Sequence, residues 1–159
     1  MTDRIAGSAG TTPPPAAPWW VTMFTPLAKV LLRAGAPLGF NGLITIRGRK
    51  TGIARTNPIA IIDVDGRRWV WAPWGGSQWV RNLRAAGRAT ITVRRRDEEV
   101  AATELDEGQR VAFFRETLGP LARRFPLGTW FIRTVDQTDL DDPIGAARDR
   151  AVFELHRIG

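Results

Sequence analysis

The chain of 159 residues has no cysteine, no tyrosine and a single histidine. Each absence closes a chemistry. Without cysteine there is no disulfide, no thiolate nucleophile and no zinc–thiolate centre. A zinc site needs about three or four ligands, usually His or Cys, and His156 is the only candidate. No metal is expected. The only serines are Ser8 and Ser77. A Ser-His-Asp triad would require Ser77 to meet His156, and neither lies in a nucleophile elbow. In "AVFELHRI", His156 alternates with Val152 and Glu154, the pattern of a half-exposed strand. Without tyrosine there is no phenolic proton donor, and no residue presents itself as a general acid. No GxGxxG follows a strand to hold a dinucleotide. No apolar run reaches the roughly 18 residues of a membrane span.

Positive charge is what the chain has in excess. The net charge is +7, and of 23 cations only Lys29 and Lys50 are lysines. Such a balance suits nucleic acid, anionic lipid or an anionic small ligand without choosing among them. With 43% hydrophobic residues the length fits one domain with a real core. Residues 1–18, "MTDRIAGSAGTTPPPAAP", lack the apolar stretch of a secretory signal and are expected to be a disordered tail. Residues 19–159 are expected to form one domain that begins with a helix. In "WWVTMFTPLAKVLLRAG" apolar residues recur near helical spacing, with Lys29 and Arg33 late in the run. This segment, Trp19 to Arg33, reads either as a helix packed on the core or as one lying at a membrane surface.

From Leu43 the texture becomes short β runs: "LITIRG", "TNPIAIID", "RWVWAPW", "RATITVRR", "EEVAATEL" and "RAVFELHRI". Asp65-Gly66 signals a tight hairpin, and "RRDE" a second turn. Trp69 and Trp71 fall on one face of their strand and Val70 on the other. Six strands with tight turns predict a mainly β fold, an antiparallel barrel with a few peripheral helices. Ser77 is placed to cap "QWVRNLRAA", ended by Gly87, with Trp79, Asn82, Leu83 and Ala86 on one face. Asp106 and Gln109 form a capping box for a helix striped by Val111, Phe114 and Leu118, which Gly119-Pro120 should terminate.

Three segments could meet at one ligand. The turn "IRGRKTGIART" holds Arg47, Arg49, Lys50 and Arg55 without an acid. Arginine grips phosphate or carboxylate with two parallel bonds, and lysine acts as a point charge. "WAPWGGSQWVRNL" places Gly75-Gly76 before a helix start, where free N–H groups and the helix dipole favour an anion. Trp71, Trp74 and Trp79 could stack on a flat ring. A heterocycle with a polyanionic tail would use all three segments, and so would single-stranded nucleic acid.

The order of the segments separates these two. "RGRKTGIARTNPI", "WAPWGG" and "WVRNLRAAGRATITV" together resemble the deazaflavin-dependent nitroreductase and quinone reductase family over roughly Asn41 to Glu104. The resemblance implies a split β-barrel, related to barrels that bind flavin mononucleotide. It implies reduced 8-hydroxy-5-deazaflavin coenzyme F-420 as cofactor, and hydride transfer to a small-molecule acceptor: a quinone, a nitroaromatic or an activated double bond. The coenzyme carries a phosphodiester and a polyglutamate tail, so the basic turn has an evident use. Arg49, Lys50 and Thr51 match the family's tail- and phosphate-binding turn. Arg55, Thr56, Asn57, Pro58, Ile59 and Ala60 match the strand under the deazaflavin. Ala72, Pro73, Trp74 and Gly75 match the phosphate loop, and Trp79, Val80, Arg81, Asn82 and Leu83 the helix start that closes it. Many members carry lysine where this chain has Trp74, and tyrosine where it has Val80. Trp20, Phe24 and Trp130 are the expected acceptor-side residues. The resemblance implies a cytoplasmic protein with no nucleic-acid partner. A homodimer, and contact with the inner face of the membrane through Trp19 to Arg33, are compatible with it. Some relatives bind lipids without turnover, which leaves a non-catalytic lipid- or ligand-binding barrel as the alternative.

Overall fold

The computed structural model describes residues 41–73, 76–124, 132–133 and 138–159. The tail at 1–18, the segment Trp19 to Arg33, and Trp74, Gly75 and Trp130 lie outside the described residues.

Six strands close into one antiparallel barrel: β1 (Asn41–Arg47), β2 (Ala54–Val64), β3 (Arg67–Trp71), β4 (Arg88–Val93), β5 (Arg96–Glu104) and β6 (Val152–Arg157). The order around the barrel is β1-β2-β3-β6-β5-β4, and β4 returns to β1. Alternation along each strand sorts side chains to two cores. Ile44, Ile46, Ile59, Ile61, Val70, Ile91, Val100 and Phe153 fill the interior. Ile62, Trp69, Trp71 and Val152 point outward, where helices cover them. Each buried side chain of this size contributes on the order of 1.5–3 kcal/mol. Trp69 and Trp71 share a face opposite Val70, as the alternation predicts. His156 is exposed on β6.

Helix α1 (Gln78–Ala86) joins β3 to β4 and turns Val80 and Leu83 into the barrel core. Gly87 ends it at φ 66°. Ser77 takes the N-cap position but makes no side-chain capping bond. The buried set also includes Val80, which the expected face omitted. A second helical stretch, α2 (Glu107–Ala112), opens with the predicted Asp106–Gln109 capping box. It does not stop at Gly119-Pro120. The backbone widens into a π-helical segment at Phe113–Leu118 and continues as α3 (Gly119–Arg123), with Pro120 in the first turn of that last segment. The N–H of Gly119 bonds the carbonyl of Phe114. A Cβ at position 119 would stand 2.9 Å from that oxygen, so glycine is needed there. The extra residue per turn brings both Phe113 and Phe114 inward, onto Trp69 and Trp71. A short α4 (Pro143–Arg148), capped by Asp142, packs beside α2 before β6.

The hairpins follow local chemistry. Asp65 (φ 52°) and Gly66 (φ 75°) make the two-residue turn predicted between β2 and β3. The β4–β5 turn is Arg94-Arg95 rather than the later "RRDE". Val93 pairs with Arg96, and both turn residues have positive φ.

Candidate functional site

The β1–β2 connection is a six-residue loop whose carbonyl and amide groups are tied internally. Gly48 N–H donates to the Ile53 carbonyl at 2.8 Å, and Gly52 N–H to the Gly48 carbonyl at 2.8 Å. A Cβ at Gly48 would meet the Thr51 hydroxyl at 3.1 Å and the Ile53 carbonyl at 3.2 Å, so the crossing is tight. Thr51 Oγ1 accepts from Ile53 N–H at 3.3 Å, and Arg47 Nη1 donates to the Gly52 carbonyl at 3.3 Å. These bonds spread the cations around a fixed loop.

The loop leans on the first turns of α1. Asn82, 7% exposed, accepts twice through Oδ1: from the backbone N–H of Arg49 at 3.2 Å and from Arg49 Nη1 at 2.9 Å. Gln78 Oε1 accepts from the same Nη1 at 3.1 Å. Between loop and helix opens a cleft of about 470 Å³, within the range of small-ligand sites. Arg49, Lys50, Arg55 and Arg81 supply its cations, Thr51, Asn57, Gln78 and Asn82 its neutral polar groups, and Trp79 an aromatic wall. No carboxylate lines it among the described residues. Three arginines elsewhere are neutralised: Arg67 by Glu154, Arg68 by Asp63 and Glu98, Arg84 by Glu104. Among the described residues, none of the four cleft cations is in a salt bridge. The start of α1 adds the positive end of a helix with no acid in its first turn.

Eight of the sequence-predicted cofactor residues line this cleft: Arg49, Lys50, Thr51, Arg55, Asn57, Trp79, Arg81 and Asn82. Others do not present side chains there. Ile59, Ala72, Val80 and Leu83 are buried in the barrel core, because the alternation that exposes Arg55 and Asn57 at the barrel mouth carries Ile59 inside. Ala60 packs on the outer core, and Thr56 bonds Thr45 across the strand pair, hydroxyl to hydroxyl, at 2.9 Å. Pro58 and Pro73 are half-buried outside the cleft lining. Trp71, offered as a stacking surface, is fully buried edge-on against Phe114. Gly48 and Gln78 line the cleft and were not among the expected residues. Gln78 stands one turn before Asn82, a spacing that puts two amides on one helix face and could have marked it. A larger cleft of about 790 Å³ lies across Gly48 and Arg49, but its lining includes Glu99. The acid-free cleft is the better anion site. Among the described residues no cluster of His, Cys, Asp or Glu is suited to a metal, and no helix is long and apolar enough to cross a membrane.

The family model described as "F-420H(2)-dependent quinone reductase" matches residues 32–122. Among solved structures, HutZ, a heme storage protein from Vibrio cholerae, is 13% identical, with 84% of this chain and 89% of that chain covered and a TM-score of 0.52. A chain described as a domain-swapped dimer is 19% identical, with 86% and 97% covered and a TM-score of 0.51. These two are likenesses of fold alone. The F-420-H2-dependent reductase FDR-A is 20% identical, with 74% and 94% covered and a TM-score of 0.49.

Proposed function

The chain belongs to the F-420H(2)-dependent quinone reductase family, an oxidoreductase family that uses reduced F-420, and from that premise we propose that the acid-free cleft holds the anionic part of this cofactor. The observation that carries the reading is the set of Arg49, Lys50, Arg55 and Arg81 on one cleft with no carboxylate among its described lining. Phosphate and carboxylate groups would meet cations that are not already spent on internal salt bridges. The N–H groups at the start of α1 add donors for a phosphate, with Ala72, Pro73, Trp74 and Gly75 as the loop leading into that start. Trp79 is the surface for an apolar or aromatic part of the ligand.

When bound, reduced F-420 supplies a hydride, and the protein's share is to bind, orient and keep water out. A quinone is the acceptor we favour, after the description of the matching family; a nitroaromatic or an activated double bond is the second choice. Trp20, Phe24 and Trp130 are the proposed acceptor-side residues. Trp19 to Arg33 is the proposed contact with a membrane that holds the quinone, from its cytoplasmic face, and a homodimer is the proposed assembly. Titration of the purified protein with F-420, followed by the coenzyme's own fluorescence, tests the central reading. Saturable binding, clearly tighter than that of flavin mononucleotide, is expected. Protein that copurifies with stoichiometric flavin and ignores F-420 would overturn it.

A further inference from the structure

Two arginines of the barrel surface show how this chain grips a carboxylate. Arg67 donates through Nε and Nη2 to the two oxygens of Glu154 at 2.8 and 2.9 Å. Arg84 does the same to Glu104, through Nε at 2.7 Å and Nη2 at 2.6 Å. Both use one edge of the guanidinium, the Nε/Nη2 edge, as a two-pronged fork. Arg49 is bound differently. Its side-chain bonds run through Nη1 alone, to Gln78 Oε1 and Asn82 Oδ1, while its backbone N–H is held by the same Asn82 oxygen. Its Nε/Nη2 edge has no partner among the described residues. The groups that hold it are amides, where Arg67, Arg68 and Arg84 have carboxylates. An amide oxygen orients a guanidinium without cancelling its charge. A carboxylate in the same place would hold it as firmly and spend the charge.

We infer that Gln78 and Asn82 are positioning residues that pin Nη1 of Arg49 and leave its Nε/Nη2 edge open as a fork for one oxyanion, carboxylate or phosphate, of the ligand. This rests on the cofactor reading above and assigns a division of labour within it. Arg49 is the geometric anchor. Lys50, Arg55 and Arg81 add field without a fixed direction. Gln78 acts through Arg49 and need not touch the ligand.

The experiment uses Gln78→Met, which removes the acceptor at an exposed position, together with Arg49→Lys, which removes the fork and keeps the charge. An unchanged melting curve for Gln78→Met is the folding control. In the free wild-type protein, nitrogen-15 spectra should show Arg49 guanidinium resonances resolved by slow rotation, identified by their loss in Arg49→Lys. Gln78→Met should speed that rotation. In titrations with F-420, Gln78→Met should weaken binding about five- to tenfold, the scale of a charge-assisted hydrogen bond that is weakened but not abolished. In the Arg49→Lys background it should change binding less than about twofold, because the fork that Gln78 orients is gone. An equal loss in both backgrounds would overturn the proposal, since Gln78 would then act on the ligand itself or through the fold. Repeating the titrations with coenzyme stripped of its glutamates identifies the gripped group. A Gln78 effect that vanishes assigns the fork to a tail carboxylate, and one that persists assigns it to the phosphodiester. Wild type that fails to bind F-420 would sink the cofactor reading. The clamp would then stand or fall on the free-protein spectrum, where rapidly averaged Arg49 signals would refute it.

Discussion

Glu154 on β6 takes two bonds from Arg67 on the neighbouring β3, and the same guanidinium lies 4.9 Å from the ring centre of Trp69. The hydrogen bond from Arg67 is the main cause that holds the Glu154 carboxyl below its usual range; partial burial opposes it, and the charges of Arg67 and His156 reinforce it. A carboxyl depressed in the folded state binds protons more readily when unfolded, so the pair's contribution is present above the ordinary carboxylate range and is lost as pH falls through and below it. Arg67 is 62% exposed, so the contribution is small, about 0.5 kcal/mol. Glu154→Gln should therefore be less stable than wild type in urea unfolding at neutral pH, and the difference should narrow at an acid pH below the usual carboxylate range. A gap of the same size at both pH values would contradict this assignment. In the cleft the prediction concerns binding. Lys50 has no ion-pair partner among the described residues, and Lys50→Ala should weaken F-420 binding by about 1–3 kcal/mol, the range for removing a charge-assisted hydrogen bond. Equal affinity of the two proteins in the fluorescence titration would refute a role for Lys50. The residue types of the cleft were legible in the sequence because Arg49, Lys50 and Arg55 crowd one turn without an acid. The pinning of Arg49 was not, because it joins residues 33 positions apart through a fold that only the closed barrel creates.

Strands were the most legible elements. Alternation in "RWVW" sends Val70 into the barrel and both tryptophans out, and nothing in the packing reverses it. Two elements escaped for definite reasons. A π-helical insertion uses ordinary helix-forming residues, so "FFRETLGP" reads as a helix ending at Gly-Pro; the widened turn instead lets the chain continue through Pro120 and places Phe113 beside Phe114. Gly119→Ala tests this. Its Cβ would approach the Phe114 carbonyl to 2.9 Å, and the strain should cost on the order of 1–3 kcal/mol, whereas an ordinary helical glycine would gain about 0.5–1 kcal/mol on becoming alanine. A stabilised variant in denaturant unfolding would refute the π-helical register. The β4–β5 turn escaped because it carries no turn residue. Arg94 and Arg95 sit at φ 48° and 67°, a conformation costing an L-residue roughly 1–2 kcal/mol. Arg95→Gly should relieve that strain, less the backbone entropy of glycine, for a net gain on the order of 1 kcal/mol. Loss of stability in the same assay would mean that the arginine side chain contributes more than its backbone costs.

On the scale of the whole molecule part of the charge is paired and part is left open. The chain carries +7, and part of that positive charge is matched: Arg67 with Glu154 and Arg68 with Asp63 and Glu98 on the strands, and Arg84 of α1 with Glu104. Among the described residues the cations around the β1–β2 loop and the start of α1 are not. Four such cations, Arg49, Lys50, Arg55 and Arg81, line one acid-free cleft, and together they focus the field there. Such a field acts on the approach of an anionic ligand before any contact forms, and it is screened over about 10 Å at 0.1 M salt and about 3 Å at 1 M. The association rate for F-420 should therefore fall with ionic strength, by about tenfold or more between low and high salt. The dissociation rate, governed by the short bonds of Arg49 and its neighbours, should change less. Arg84 offers the control. It lies on the same helix as Gln78 but is already matched to Glu104, so Arg84→Gln combined with Glu104→Gln removes a cation and an anion without altering the field, and the salt dependence should be preserved. Arg81→Gln removes an unmatched cation, so it should flatten that dependence and slow association at low salt. Stopped-flow mixing over a salt series reads both rates. An association rate indifferent to salt, with the whole effect in dissociation, would mean that the cleft cations act only at contact and that their open charge has no long-range role.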